Sequence, residues 1–267
     1  MQKNYLQIKI QNKIAWIKIN REEKLNALNI SMLEEIRKNL IDLGKNKNVL
    51  VLVIIGSGDK AFVAGADIAE FSKYDKNKGL ELAKKGQKNV LDLIENFPKP
   101  IIAQIHGYCL GIATQMAVMC DLTVVADDAK IGFPSIPVGG GYISPMWSWL
   151  IGPKRAKELS FTVGSKISGT TAAEWGYANR SVPADKLEDT VREMAQEIAK
   201  VPSKILKIKK LANNRTMDAQ GFRHAIRAGA EFDAMLHFSN PVTKMTSFMR
   251  EKGMQQAFDA FNAGDFS

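Results

Sequence analysis

Cysteine is scarce in this sequence: Cys109 and Cys120 are the only two in 267 residues. That number excludes a disulfide framework, and their separation inside an apolar segment matches no metal-ligand spacing, so both read as buried thiols. Long hydrophobic runs are also missing. No stretch approaches the length of a membrane span, and the first ten residues, Met-Gln-Lys-Asn-Tyr-Leu-Gln-Ile-Lys-Ile, alternate polar and apolar where a secretion signal would be continuously apolar. The expectation is a soluble, cytoplasmic protein that does not associate with membranes. Neither a Rossmann glycine fingerprint nor an HExxH spacing occurs. Glu231, Asp233 and His237, near Gln220-Gly221-Phe222-Arg223, have no metal-ligand spacing and read as an interhelical polar network or a subunit contact. No low-complexity run or internal repeat is visible. The formal charge of +9 is dispersed in pieces such as Lys204, Lys207, Lys209 and Lys210, without the interleaved aromatics of a nucleic-acid groove. Solvated helix faces account for most of it, nucleic acid is not an expected partner, and a small anionic ligand would use only a few of these charges.

With 45% apolar residues, the chain can bury the core of one large domain plus an appendage. Tyr5 to Ile10 and Lys13 to Ile19 alternate in period two around Gln11-Asn12, which predicts an antiparallel hairpin. Ser31 is placed to cap a helix whose apolar residues Met32, Leu33, Ile36, Leu40 and Leu43 have helical spacing; Glu34 follows three residues after the cap and Gly44 ends it. Val49 to Ile55 is an unbroken apolar run, as expected of a strand buried on both faces, and Ile101 to Ile105 and Leu122 to Ala126 read alike. Lys78 to Asn96 is helical by pattern until Phe97-Pro98-Lys99-Pro100 breaks it. From Pro153, suited to a first helical position after Gly152, the chain reads as mainly helical to Phe261. Val201-Pro202 interrupts that series. The division predicts an α/β core over residues 1–200 and a helical region over 201–267.

Two segments carry the chemistry. Ala61-Phe62-Val63-Ala64-Gly65-Ala66-Asp67-Ile68 follows one buried strand, and His106-Gly107-Tyr108-Cys109-Leu110-Gly111-Ile112-Ala113 follows another. Each places small residues at a strand-to-helix turn, where the first N–H groups have no intrahelical acceptor and the helix dipole favours negative charge. Two such turns face to face make an oxyanion hole, although either alone is equally a tight turn needing only glycine. Several further motifs occur in order: Asn20-Arg21 with Asn26-Ala27-Leu28-Asn29, Lys99-Pro100-Ile101-Ile102-Ala103 before His106-Gly107, Met119-Cys120-Asp121-Leu122, Gly152-Pro153-Lys154-Arg155-Ala156, and Ala173-Glu174-Trp175-Gly176. Together with the two turns they resemble the crotonase superfamily, the enoyl-CoA hydratases and isomerases.

The resemblance implies a spiral of β-β-α units with a C-terminal helical oligomerisation region, in a homotrimer or homohexamer. It also implies a coenzyme A thioester as substrate, with no metal or redox cofactor. The backbone N–H groups of Ala66 and Ile112 would hold the thioester oxygen while an enolate develops beside it. The nucleotide grip would fall near Arg21 to Ala27 and along Ala64 to Ala66. That makes Lys24 a candidate phosphate contact and groups Ala27, Ala64, Gly65, Asp67, Ile68 and Gly111 around the substrate.

In the hydratases of that superfamily two glutamates share one water, and here the corresponding positions are Gln115 and Ser135. Neither carries a carboxylate; an amide has no useful proton affinity, and an unassisted serine is a poor general base. Gly141 and Ile143, near the aspartates of neighbouring chemistries, are also without an acid. Tyr142 and Ser144, after Gly139-Gly140-Gly141, could reach an acyl group or could simply follow a glycine turn. His106 reads as a structural hydrogen-bonding residue under its turn, and Asp67 as a helix cap. Trp147, with Met146 and Trp149, either shapes the acyl end of the pocket for a bulky group or fills the core. Three functions remain open: an enoyl-CoA hydratase or isomerase with an atypical substrate or reaction, a catalytically silent acyl-CoA-binding protein, and an acyl-CoA hydrolase in which Ser135 or Tyr142 orients water.

Overall fold

The computed structural model describes residues 4–71, 81, 89–133, 144–162 and 164–265. The predicted hairpin forms from β1 (Leu6–Gln11) and β2 (Ile14–Ile19), paired antiparallel from Leu6 opposite Ile19 to Gln11 opposite Ile14. Its turn is Asn12-Lys13, one residue later than the sequence pattern suggests. Both residues hold positive φ, 51° and 64°, as a two-residue hairpin turn requires. Then α1 (Ile30–Lys45) buries Met32, Leu33, Ile36, Leu40 and Leu43, the stripe its periodicity predicts. Its cap is not Ser31. Asn29 takes the extended cap conformation and its side chain accepts a hydrogen bond from the Met32 N–H at 2.8 Å, which leaves Ser31 inside the first turn.

Three strand pairs follow. β3 (Val51–Gly56) leads into β4 (Ala61–Val63), β5 (Ile101–Ile105) into β6 (Tyr108–Leu110), and β7 (Leu122–Ala126) into β8 (Lys130–Gly132). With β10 (Arg180–Val182), the first member of each pair joins a six-stranded sheet of order β1-β2-β3-β5-β7-β10, parallel apart from the opening hairpin. With β9 (Ile167–Ser168), the second joins a smaller sheet of order β4-β6-β8-β9. After β4 comes α2 (Ile68–Phe71), and after β6 comes α3 (Ile112–Met119), so strand, strand and helix repeat as a spiral. Every residue of β5 is buried, consistent with its unbroken apolar run. Of the helix predicted over Lys78 to Asn96, residues 81 and 89–95 are helical within the described set.

Beyond Pro153 the chain is less uniformly helical than its pattern implies. α4 (Ser144–Ile151) and α5 (Pro153–Phe161, with Pro153 at its start) are followed by β9 (Ile167–Ser168), α6 (Gly169–Glu174) and β10 (Arg180–Val182). These strands are only two and three residues long, too short for a period to show. α7 (Leu187–Ala199) buries Leu187, Val191 and Ala195. After the break at Val201-Pro202 come α8 (Ser203–Ala219), α9 (Phe222–His237), α10 (Asn240–Lys252) and α11 (Met254–Asn262). Lys210 on α8 reaches back to the core, its Nζ 2.8 Å from Asp121 Oδ2 and also donating to the carbonyls of Ile94 and Lys99. α10 and α11 share a separate apolar cluster around Met245, Met249 and Ala257, against which Ile68 packs. Among the described residues, no helix is long and apolar enough to cross a membrane.

Candidate active site

β4 and β6 are parallel neighbours, with Val63 opposite Cys109. Three residues beyond each lie Ala66 and Ile112, so the pairing carries both turns to the same level. The turns touch: a methyl group placed on Gly111 would lie 3.8 Å from the Gly65 Cα, and one placed on Gly65 would lie 3.3 Å from the Leu110 carbonyl oxygen. Gly65 and Gly111 hold φ of +107° and +56°, conformations in which a side chain would be strained. Ala66 forms a parallel bridge with Leu28, in which the Leu28 N–H donates to Gly65 O and the Asp67 N–H donates to Leu28 O. That pattern uses the groups on either side of Ala66 and leaves its own N–H turned away. Ile112 opens α3, where an N–H has no intrahelical acceptor. Among the described residues neither N–H has a hydrogen-bond acceptor. Two such donors at one level suit an oxygen that gains negative charge.

The loop from Arg21 to Leu28 is braced from within. Arg21 Nη2 lies 2.7 Å from Asp67 Oδ2, and its Nη1 donates to Ala27 O. Asp67 Oδ1 accepts from the Glu70 N–H at 3.0 Å, the capping contact its position suggests. Buried Asn26 donates from Nδ2 to the carbonyls of Ser57 and Ala61 and accepts from the Arg21 N–H. Lys24 projects into solvent at the tip of this loop, Ala27 and Ala64 are half-buried, and the Ala64 N–H donates to Leu25 O. The Arg21–Asp67 pair and the Asn26 brace escape sequence reading, because their partners are distant in the chain.

Gln115 lies one turn after Ile112 on the same face of α3; it is buried, and among the described residues its Oε1 has no hydrogen-bond partner. Ser135 and Tyr142, with Gly139, Gly140, Gly141 and Ile143, lie outside the described residues. Trp147 is wholly buried: its ring stacks on Tyr177 with centroids 4.4 Å apart and meets Phe133 edge-on at 5.3 Å. Its Nε1 donates to Thr114 Oγ1. Burial holds the His106 imidazole below its ordinary value, against a hydrogen bond to the Gly58 backbone and the carboxylates of Asp59 and Asp128, and among the described residues its Nε2 has no partner. Both cysteines are buried thiols, and burial pushes each well above the usual thiol range. Among the described residues, no three metal-ligating side chains cluster.

The spiral of strand pairs and the two opposed turns define a known class. Residues 9–258 match the enoyl-CoA hydratase/isomerase family model, and the chain belongs to that family. It is 32% identical over 222 residues to a short-chain-enoyl-CoA hydratase of Clostridium acetobutylicum, covering 81% of this chain and 84% of that protein. It is 32% identical over 248 residues to a crotonyl-CoA hydratase of Syntrophomonas wolfei, covering 91% and 94%. The crystal structure of a candidate enoyl-CoA hydratase/isomerase from Novosphingobium aromaticivorans superposes with a TM-score of 0.88 at 34% identity, over 99% of this chain and 95% of that one.

Proposed function

We propose that this protein is an acyl-CoA enzyme that holds the thioester oxygen with the N–H groups of Ala66 and Ile112 and acts, as a hydratase or isomerase, on an acyl group or by a reaction outside ordinary crotonyl-CoA hydration. The observation that carries this reading is the shared level of the two turns, set by Val63 opposite Cys109, with both N–H groups lacking acceptors among the described residues. Removing a proton next to a thioester requires that the oxyanion be stabilised, and losing one donor of this kind costs about 2.7–4 kcal/mol of barrier. An atypical reaction is supported by Gln115 and Ser135, where the family's hydratases use glutamates. Positioned acid–base groups contribute on the order of 10² to 10⁴ in rate, so their loss weighs against simple hydration. The Gln115 oxygen, without a partner among the described residues, is compatible with the same reading: an unsatisfied buried acceptor costs about 1–3 kcal/mol, which a donor on the acyl group or a water would relieve.

In this reading coenzyme A enters as part of the substrate, Lys24 meets a phosphate, Tyr142 lies near the acyl group, and no metal or redox cofactor takes part. The cytoplasm is the expected compartment, and the apolar residues exposed on α8 and α9, among them Ile208, Leu211, Phe232 and Met235, are covered in a homotrimer or homohexamer. The test is a mass-spectrometric screen of enoyl-, dienoyl- and cyclic acyl-CoA thioesters, with calorimetry on CoA and acetyl-CoA. Turnover of at least one thioester, undiminished by chelator, is expected. Binding without turnover would make the protein a silent acyl-CoA binder, and absence of both would overturn the proposal.

A further inference from the structure

Beneath the first turn of α3 runs a directed chain of hydrogen bonds. Trp147 Nε1–H donates to Thr114 Oγ1 at 3.2 Å, and the Thr114 hydroxyl donates onward to the Gly111 carbonyl at 2.7 Å. That carbonyl belongs to the same peptide group as the Ile112 N–H. The Thr114 N–H donates to the same oxygen at 3.0 Å, and the Tyr177 hydroxyl donates to the Thr114 carbonyl at 3.0 Å, fixing the turn from below. Thr114 and Trp147 are wholly buried, so water does not compete for these bonds.

We infer that Thr114 and Trp147 are positioning residues for the Ile112 N–H, holding the plane of the Gly111–Ile112 peptide and strengthening its donor. Two consequences of the geometry carry this. Two bonds accepted by the Gly111 oxygen prevent the peptide from rotating about its glycine, whose φ of +56° leaves it no side chain to restrain it. The bonds also run head to tail, from indole N–H through hydroxyl to carbonyl. In such a chain each bond polarises the next, by about 10–30% in condensed-phase estimates. The last member is the N–H that the thioester oxygen would meet. The indole stacks on Tyr177, which holds the Nε1 in line. The inference rests on the oxyanion-hole reading above.

Gly111-Ile112 is the only Gly-Ile pair in the sequence. Protein labelled with carbonyl-¹³C glycine and ¹⁵N isoleucine therefore gives a single carbonyl–amide correlation in solution NMR, reporting this peptide in the free protein. Thr114→Val should move that peak upfield in carbon, Thr114→Ser should restore it, and Trp147→Phe, which keeps the ring but lacks the N–H, should move it part of the way. In parallel, difference infrared spectroscopy of bound hexanoyl-CoA, ¹³C-labelled at the thioester carbonyl, should show a downshifted stretch in the unmodified protein. Part of that shift should be lost in Thr114→Val and Trp147→Phe and regained in Thr114→Ser. A carbonyl that is not downshifted in the unmodified protein overturns the oxyanion-hole reading and this inference with it. A downshift that persists unchanged in Trp147→Phe and Thr114→Val overturns the positioning role alone. If Thr114→Val does not fold, Trp147→Phe against the unmodified protein decides.

Discussion

At position 115 an amide takes about the space of a carboxylate but does not take up a proton, so one substitution isolates acid–base chemistry from packing. If only the missing carboxylates prevent hydration, Gln115→Glu combined with Ser135→Glu should raise crotonyl-CoA hydration, measured by loss of enoyl absorbance. Each single change should do much less, because one acid cannot both deliver hydroxide and protonate the α carbon. Ile112→Gly belongs in the same series, as the check on whether side-chain bulk at the start of α3 restricts the site. Efficient hydration by the unmodified protein, insensitive to Gln115→Ala and Ser135→Ala, would show that the site lies elsewhere. At this scale the sequence order of small residues located both turns, since glycine at a strand-to-helix junction is a local signal. Contacts across the fold stayed hidden. Thr114 and Trp147 stand 33 residues apart, and nothing in either neighbourhood marks the other. Arg21 likewise gives no sign in the sequence of its partners, Asp67 and the Ala27 carbonyl.

Among the elements, α1 shows how a boundary is decided by one competitor over another. Asn29 and Ser31 both have side chains able to cap, and the sequence favours Ser31 through Glu34 three residues on. The bridge that holds Leu28 to Ala66 fixes the chain extended up to that point, which leaves Asn29 as the last residue free to cap. Asn29→Ala should therefore cost about 1 kcal/mol in urea unfolding, and Ser31→Ala should cost less than a few tenths. A reversed order would restore the cap to Ser31. The buried strands β3, β5 and β7 were legible because a parallel strand covered on both faces is apolar throughout. β9 and β10 were not, since two or three residues cannot express a period and are strands only because β8 and β7 pair with them.

For the molecule as a whole, an ion pair is one of the contacts that attach the C-terminal helices, beside the Arg223–Glu95 pair and the Trp149–Phe222 ring contact. Lys210 is almost wholly buried against Asp121, whose carboxylate also accepts from the Ile101 N–H at 2.8 Å. Burial raises the Asp121 carboxyl above its usual range, and Lys210 opposes that shift. Lys210→Met would leave the partly exposed Asp121 without its counter-ion at a cost of about 1 kcal/mol, read as a lower urea midpoint. Adding Asp121→Asn should recover part of that loss, and additive losses would show that the two do not interact. The apolar residues left exposed on α8 and α9 make the same region the expected contact between copies. Sedimentation should give a trimer or a dimer of trimers, and Phe232→Glu with Met235→Glu should yield smaller species. A monomer in the unmodified protein would overturn that expectation.

The pairing of β4 with β6 has a consequence for how such a chain changes over time. What it fixes is the height of two main-chain groups, which every residue except proline supplies alike. Side chains such as those at 112 and 115 can then be exchanged by mutation while the frame around them is inherited intact. New reactivity needs only a new lining, and a lineage can pass through sequences that have shed one chemistry before acquiring another without ever dismantling the frame.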